Sequence, residues 1–290
     1  MTTADPAAPA AARPPEPARV RRARWAVIRA IVAKDLIAVR RAKAVVIPML
    51  AVPVLLMVVL PFGVGLAARG QDGGTDLRRI LDSMPGDLAE PILSLPQHEQ
   101  LVVLVNGYLL APLFLIVPLM VSAVLAADAF AGEKERKTLE SLLHLPIPDR
   151  DLFVAKLLTA FLPAVAVSWI GFAAFCLVAN GVAWPVMHRV FVPTQLWLVM
   201  IFWLGPAVAM LGLAVMVRVS ARTKTAQEAN QLGGAVILPL IFLSVGQASG
   251  ILLVTLPVAL AIGAAVWALA LVLVRGGMKR FTRDRLAARV

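Results

Sequence analysis

Five stretches of this chain run longer than the about 20 apolar residues that cross a bilayer, none interrupted by a charge. They are Ala44–Ala68, Leu101–Ala127, Leu157–Met187, Val190–Val217 and Ala229–Val274. A chain built this way buries its apolar surface in lipid, and backbone groups in lipid must pair within their own segment, so the expected fold class is all-α integral membrane protein. The last stretch holds 46 residues. As one helix it would reach ~69 Å, more than twice the hydrocarbon core. Gly246, Gln247, Ala248, Ser249 and Gly250 near its middle read as a turn. Six spans are therefore expected, at about 44–68, 101–127, 157–181, 194–217, 230–247 and 251–274.

The charges test that count. A net charge of +11 suits nucleic acid as well as membrane, but the basic residues are spread between the spans instead of gathered in one soluble domain. Lys and Arg number 10 up to Lys43, 5 after the second span, 3 after the fourth and 6 in the tail, 24 in all; the opposite side carries 4. Basic loops stay cytoplasmic, so both termini are expected there, in a multi-pass arrangement without nucleic acid as a partner. Five spans would leave Arg275, Lys279, Arg280, Arg283, Arg285 and Arg289 outside. The lone Cys176 offers no disulfide framework.

Residues 1–19, rich in Ala and Pro, read as a disordered cytoplasmic tail. Over 24–41, Trp25, Ile28, Val32, Leu36 and Val39 recur at helical spacing, flanked by Arg22, Arg29 and Arg40. That pattern predicts an amphipathic helix in the cytoplasmic interface, its arginines reaching lipid phosphates. A helix packed on another subunit would show the same pattern. The acidic, proline-containing segment 69–100 is the only sizeable external piece and is too small for a domain. Residues 180–194, with Trp184, Pro185 and Trp197 nearby, read as an interfacial turn with an aromatic anchor. Pro48, Pro53, Pro61, Pro112, Pro118, Pro206 and Pro239 fall inside spans, where each frees a backbone carbonyl.

One charged island, residues 130–148, interrupts this apolar chain. Glu133 and Lys137, and Arg136 and Glu140, are opposite charges four apart, which supports a helix. Leu139, Leu142 and Leu143 give it a small apolar face, and Pro146 and Pro148 stop it. A short helix over 131–145 is expected, held on the cytoplasmic side between spans two and three.

The run Glu133, Lys134, Glu135, Arg136, Lys137, Thr138, Leu139, Glu140, Ser141, Leu142, Leu143, followed by Pro146 and then Lys156, resembles the signature of ABC-2 type transporter permeases. Lys34-Asp35 is similar to that family's basic-acidic pair before the first span, and Ser220 through Ala229 to its loop between spans four and five. Phe281, Arg283, Arg285 and Leu286 look like the tail of its bacterial sodium/drug-export branch, from which Thr282 and Asp284 depart. The resemblance implies an ABC-2 transmembrane domain over residues 20–290, in which 131–145 is the coupling helix that docks on an ABC ATPase subunit. Glu133, Glu135, Arg136, Thr138, Glu140, Leu142 and Leu143 would make that contact, with Trp25, Ile28, Lys34 and Asp35 of the interfacial helix as a second one. A second copy of the chain, or a related permease, would complete the path.

No phosphate-binding G-x-x-x-x-G-K-[ST] loop is present, so ATP and Mg are expected in the partner ATPase, with no cofactor, catalytic residue or metal ligand in this chain. No Asp, Glu, Lys or Arg falls inside an assigned span, which opposes a proton-coupled carrier. Asn106, Tyr108, Ser122, Ser168 and Asn180 are the neutral polar candidates for a path suited to an amphipathic or hydrophobic cargo. Interhelical hydrogen bonding is their plainer role. The expected function is the permease of an ATP-driven exporter. A force-transmitting membrane subunit that moves no cargo, and a stand-alone secondary carrier, remain open classes.

Overall fold

A computed structural model describes residues 17–70, 81, 86–136, 148–223, 225–248 and 255–280, and every described element is helical. Helix α1 spans Pro17–Arg41. Five further helices are long and apolar enough to cross a membrane: α2 Met49–Arg69, α4 Gln97–Glu135, α5 Asp149–Met187, α6 Gln195–Ser220 and α9 Leu256–Met278. Between them lie α3 Gly86–Leu93, α7 Ala226–Gly233 and α8 Leu238–Ala248. The expected span at about 230–247 corresponds to α7 and α8, which a 3-10 turn at Gly234–Ile237 separates. Neither piece alone is long enough to cross. The expected turn at Gly246–Gly250 lies partly beyond α8, and residues 249–254 are outside the described set, as are 1–16 of the tail and 281–290.

α4 and α5 each have 39 residues. At about 58 Å each outruns a hydrocarbon core of about 30 Å, so both project well past it. α4 and α6 are the inner helices, mostly covered by the rest of the chain, whereas α2, α5 and α9 turn most of their apolar surface outward. Ile170, Leu177 and Val272 on α5 and α9 are among the most exposed apolar side chains. Gly212 of α6 packs tightly against α4. A Cβ there would come within 2.6 Å of Leu119 Cδ1 and 3.1 Å of the Leu119 carbonyl. Gly212→Ala is accordingly expected to destabilise by about 1–3 kcal/mol, through forced separation of two packed helices, read as a lowered melting temperature in detergent.

The intramembrane prolines leave a visible mark. Three π turns, Leu55–Val59, Val103–Leu109 and Met200–Leu204, end two or three residues before Pro61, Pro112 and Pro206. In the last of them the Gly205 N–H bonds to the Met200 carbonyl. The Ile201 carbonyl therefore loses its usual donor, and the next residue in line, Pro206, has no N–H to replace it. The Trp169 indole from α5 donates to that carbonyl at 3.4 Å. Trp267 of α9 likewise donates to the Trp203 carbonyl at 3.3 Å, and Trp197 to the Asn106 carbonyl at 3.1 Å. Neighbouring helices thus supply what the bent backbone needs in a medium without water.

Two expectations change here. Helix α5 continues through Asn180 and ends at Met187, where His188 takes a left-handed conformation (φ 48°), so the turn comes later than the sequence suggests. Trp197 is no interfacial anchor. It is fully buried among Phe114, Phe172 and Phe175, with ring centroids 4.7 to 5.5 Å away. An indole that finds a carbonyl inside the bundle needs no headgroup.

α1 packs on the chain itself. Ile28, Ile31 and Val32 are buried against Leu152 and Ala155 near the start of α5, with Leu36 half-buried beside them. Trp25, expected on the same stripe, is half exposed.

Candidate functional site

The end of the molecule where α1, the last turns of α4 and the first turns of α5 meet carries its buried charges. Lys156 on α5 is fully buried, Glu133 on α4 and Asp35 on α1 nearly so. The Lys156 ammonium forms an ion pair with Glu133 and lies 3.9 Å from Asp35 Oδ2. Lys34, largely exposed, reaches Asp35 Oδ1 at 3.2 Å. Asp35 lies 98 residues before Glu133 and 121 before Lys156, so one cation ties α1 to two consecutive helices far along the chain. Buried ions of this kind persist only when paired.

A second pair ties α1 to α5. Arg24 makes two hydrogen bonds to Asp151, 2.7 Å from Nε and 2.5 Å from an Nη, in the planar fork that suits a carboxylate. That hydrogen bonding, and then the charge of Asp151, hold the Arg24 guanidinium above its ordinary range.

The end of α4 is shaped for this. A fourth π turn, Asp128–Gly132, immediately precedes Glu133 and has no proline after it. An extra residue in one turn rotates everything that follows by about 100°, a common device where side chains must be re-aimed. Gly132 leaves room for the result: a Cβ there would sit 2.8 Å from the Asp128 carboxylate and 3.2 Å from the Arg136 guanidinium. Those two groups pair across the turn at 2.9 Å. The hydrogen bond to Asp128 holds Arg136 firmly cationic.

The four charged residues at the end of α4 then reach four different places. Glu133 pairs with Lys156 of α5. Lys134 donates to the Thr223 carbonyl in the loop after α6, at 3.2 Å. Glu135 accepts from the Ala226 N–H, at 3.1 Å, at the positive end of α7. Arg136 turns back to Asp128. Thr225 completes the N-terminal cap of α7 by accepting from the Glu228 N–H at 3.1 Å.

The residues singled out from sequence are therefore divided. Lys34, Asp35, Glu133, Glu135 and Arg136 gather at this end, with Ile28 in the packing beneath them and Trp25 on its edge. Glu133 faces inward, and the exposed surface here is carried by Glu135 and Arg136. Thr138, Glu140, Leu142 and Leu143, with the rest of 137–147, lie outside the described residues, as do the expected partners Lys137 and Glu140 of the two i, i+4 pairs. Arg24, Asp151 and Asp128 had no local signal in the sequence, because their partners lie far away in the chain or across a π turn.

The five polar candidates for a path do not form one group. Asn180 is fully engaged, donating to the Cys176 and Val192 carbonyls and accepting from the Phe191 N–H at 3.0 Å. That pins the connection to α6. Ser122 donates to the Leu119 carbonyl within its own helix at 2.9 Å. Tyr108 is half-buried beside Leu81, Ile92 and Leu104. Asn106 and Ser168 are buried, and the Asn106 carboxamide and the Ser168 hydroxyl have no hydrogen-bond partner among the described residues.

A family model described as ABC-2 family transporter protein matches residues 29–275. No curated protein and no solved structure matches the chain.

Proposed function

The chain belongs to the ABC-2 transporter family, whose members are membrane permease subunits of ABC transporters, and from that premise we propose that it couples ATP hydrolysis in a separate ATPase chain to export of an amphipathic or hydrophobic cargo. With α7, the 3-10 turn and α8 crossing together as a sixth span, the charged end is the cytoplasmic end and both termini lie there. The ATPase docks on the face that carries Glu135 and Arg136, and α1 is the interfacial helix.

One observation carries this reading: four consecutive charged residues at the end of α4 engage α5, the α6–α7 loop, α7 and α4 itself. A push on this point reaches four elements at once. The buried Lys156 cluster then makes α1, α4 and α5 move together, because separating them would strand charges away from water. Glu133 on this reading transmits the motion and does not touch the ATPase. Asn106 and Ser168 are the better path candidates, since Asn180 and Ser122 are committed to backbone carbonyls. The spread of basic residues, 24 on this side against 4, supports the cytoplasmic placement. Two copies of the chain, or this chain and a related permease, enclose the path.

The test reverses only the exposed pair. Glu135→Lys with Arg136→Glu is expected to leave the melting temperature within a few degrees of wild type, in line with the small worth of exposed ion pairs. The same variant is expected to lose either copurification with the ATPase subunit or ATP-dependent transport into inverted vesicles. A variant that copurifies and transports like wild type removes the coupling role from this surface.

A further inference from the structure

The stripe of α1 that the sequence marks as its apolar face is used inside the chain, where Ile28, Ile31 and Val32 pack on Leu152 and Ala155. The opposite side holds a second, weaker stripe. Ala26, Ala30, Ala33 and Ile37 recur at helical spacing and are all exposed. Arg29 and Arg40 lie along one edge of it and Lys34 and Arg41 along the other, all exposed as well. Lys43 follows after a single residue, at the start of the helical run that continues into α2. Lys34 is paired with Asp35, but Arg29, Arg40, Arg41 and Lys43 have no carboxylate partner among the described residues. Asp35, the one acid on α1, is turned inward.

Three alanines and one isoleucine bury too little area to hold a helix on a bilayer by themselves. Four uncompensated cations beside them, where the chain enters the membrane, supply what is missing if the surface is negative. We propose that this outer face of α1 binds the phosphate headgroups of acidic phospholipids through Arg29, Arg40, Arg41 and Lys43, with Ile37 and the alanines sunk between acyl chains. The proposal rests on the reading of α1 as the chain's membrane-surface helix. It adds which face meets lipid and which lipid class it requires. Lipid on this face also holds the helix whose other face brings Asp35 to 3.9 Å from Lys156, so the acidic fraction of the membrane bears on the buried cluster.

The full chain in neutral detergent, titrated with phosphatidylglycerol and separately with phosphatidylcholine under native mass spectrometry, tests this. Wild type is expected to retain phosphatidylglycerol in preference. Arg40→Gln and Arg41→Gln are each expected to weaken it about fivefold, the factor corresponding to about 1 kcal/mol per cation at an acidic surface. Arg222→Gln, on the α6–α7 loop, is expected to change nothing. Added salt is expected to erase the preference in wild type, a measurement that needs no variant to fold. Equal retention of the two lipids by wild type, or unchanged phosphatidylglycerol binding in the α1 variants, overturns the proposal. So does loss of ATPase copurification in those variants with lipid preference intact, which would make the face a protein contact. None of these readings depends on transport, so permease function can stand if the lipid site fails.

Discussion

Lys156→Met is expected to cost about 3–5 kcal/mol, because it leaves the Glu133 and Asp35 carboxylates facing each other with their buried cation gone. Methionine fills nearly the same volume, so the loss reports charge and not a cavity. The measurement is the melting temperature of the purified chain in detergent, or its midpoint of unfolding in mixed micelles. Adding Glu133→Gln and Asp35→Asn to the same chain should recover most of the loss, since neutral groups of equal shape need no counter-ion. Arg136→Gln is the contrast. It is itself exposed and its partner Asp128 only half-buried, so its removal should cost under about 1 kcal/mol. A Lys156→Met chain as stable as wild type would show that the cluster is wetter, or more loosely held, than its burial indicates.

Trp197→Ala is the second large effect, at about 3–5 kcal/mol for loss of a fully buried aromatic side chain. Two contributions are separable. The ring packs edge-on to Phe114 and stacks on Phe172, while the indole N–H satisfies the Asn106 carbonyl in a π turn. Trp197→Phe keeps much of the packing and removes the donor. It should cost roughly 0.5–1.5 kcal/mol, the ordinary worth of one hydrogen bond. If Trp197→Phe were as damaging as Trp197→Ala, the carbonyl contact would be the larger contribution, and the π turn at Val103–Leu109 would depend on it.

What the sequence displays and what it hides follow from the range of each interaction. Apolar run length and charge placement are local sums, and they mark all five long helices. The break expected at Gly246–Gly250 in the 46-residue run falls partly outside the described residues. The 3-10 turn at Gly234–Ile237 had no sequence expectation, because a paired glycine at 233 and 234 permits several local outcomes. Lys34-Asp35, Glu133 and Lys156 were each visible as motif residues. Their meeting was not, since pairings such as Arg24 with Asp151, 127 residues apart, leave no spacing to read. The four charges from Glu133 to Arg136 look from sequence like a solvated helix face with i, i+4 partners. Among the described residues three of them reach other elements and Arg136 turns back to Asp128, and the π turn before them supplies the rotation that allows it. Trp197 misled for a related reason. An indole near a span end favours the headgroup region on average, but a carbonyl of a π turn inside the bundle is as good a partner.

On the proposed function, ATP-driven motion enters at the end of α4 and reaches the spans through the Lys156 cluster. Spin labels at Ile170→Cys and Val272→Cys, in a Cys176→Ser background, report the separation of α5 and α9 from exposed positions without any need to know the cargo. The labelled permease, assembled with its ATPase subunit in a bilayer, is measured by pulsed electron resonance before and after addition of ATP and Mg. A nucleotide-dependent change in the distance distribution is predicted for wild type, and its loss for the neutral Lys156→Met, Glu133→Gln, Asp35→Asn chain that still folds and still binds the ATPase. The same shift in both proteins, or none in wild type, would contradict transmission through the cluster.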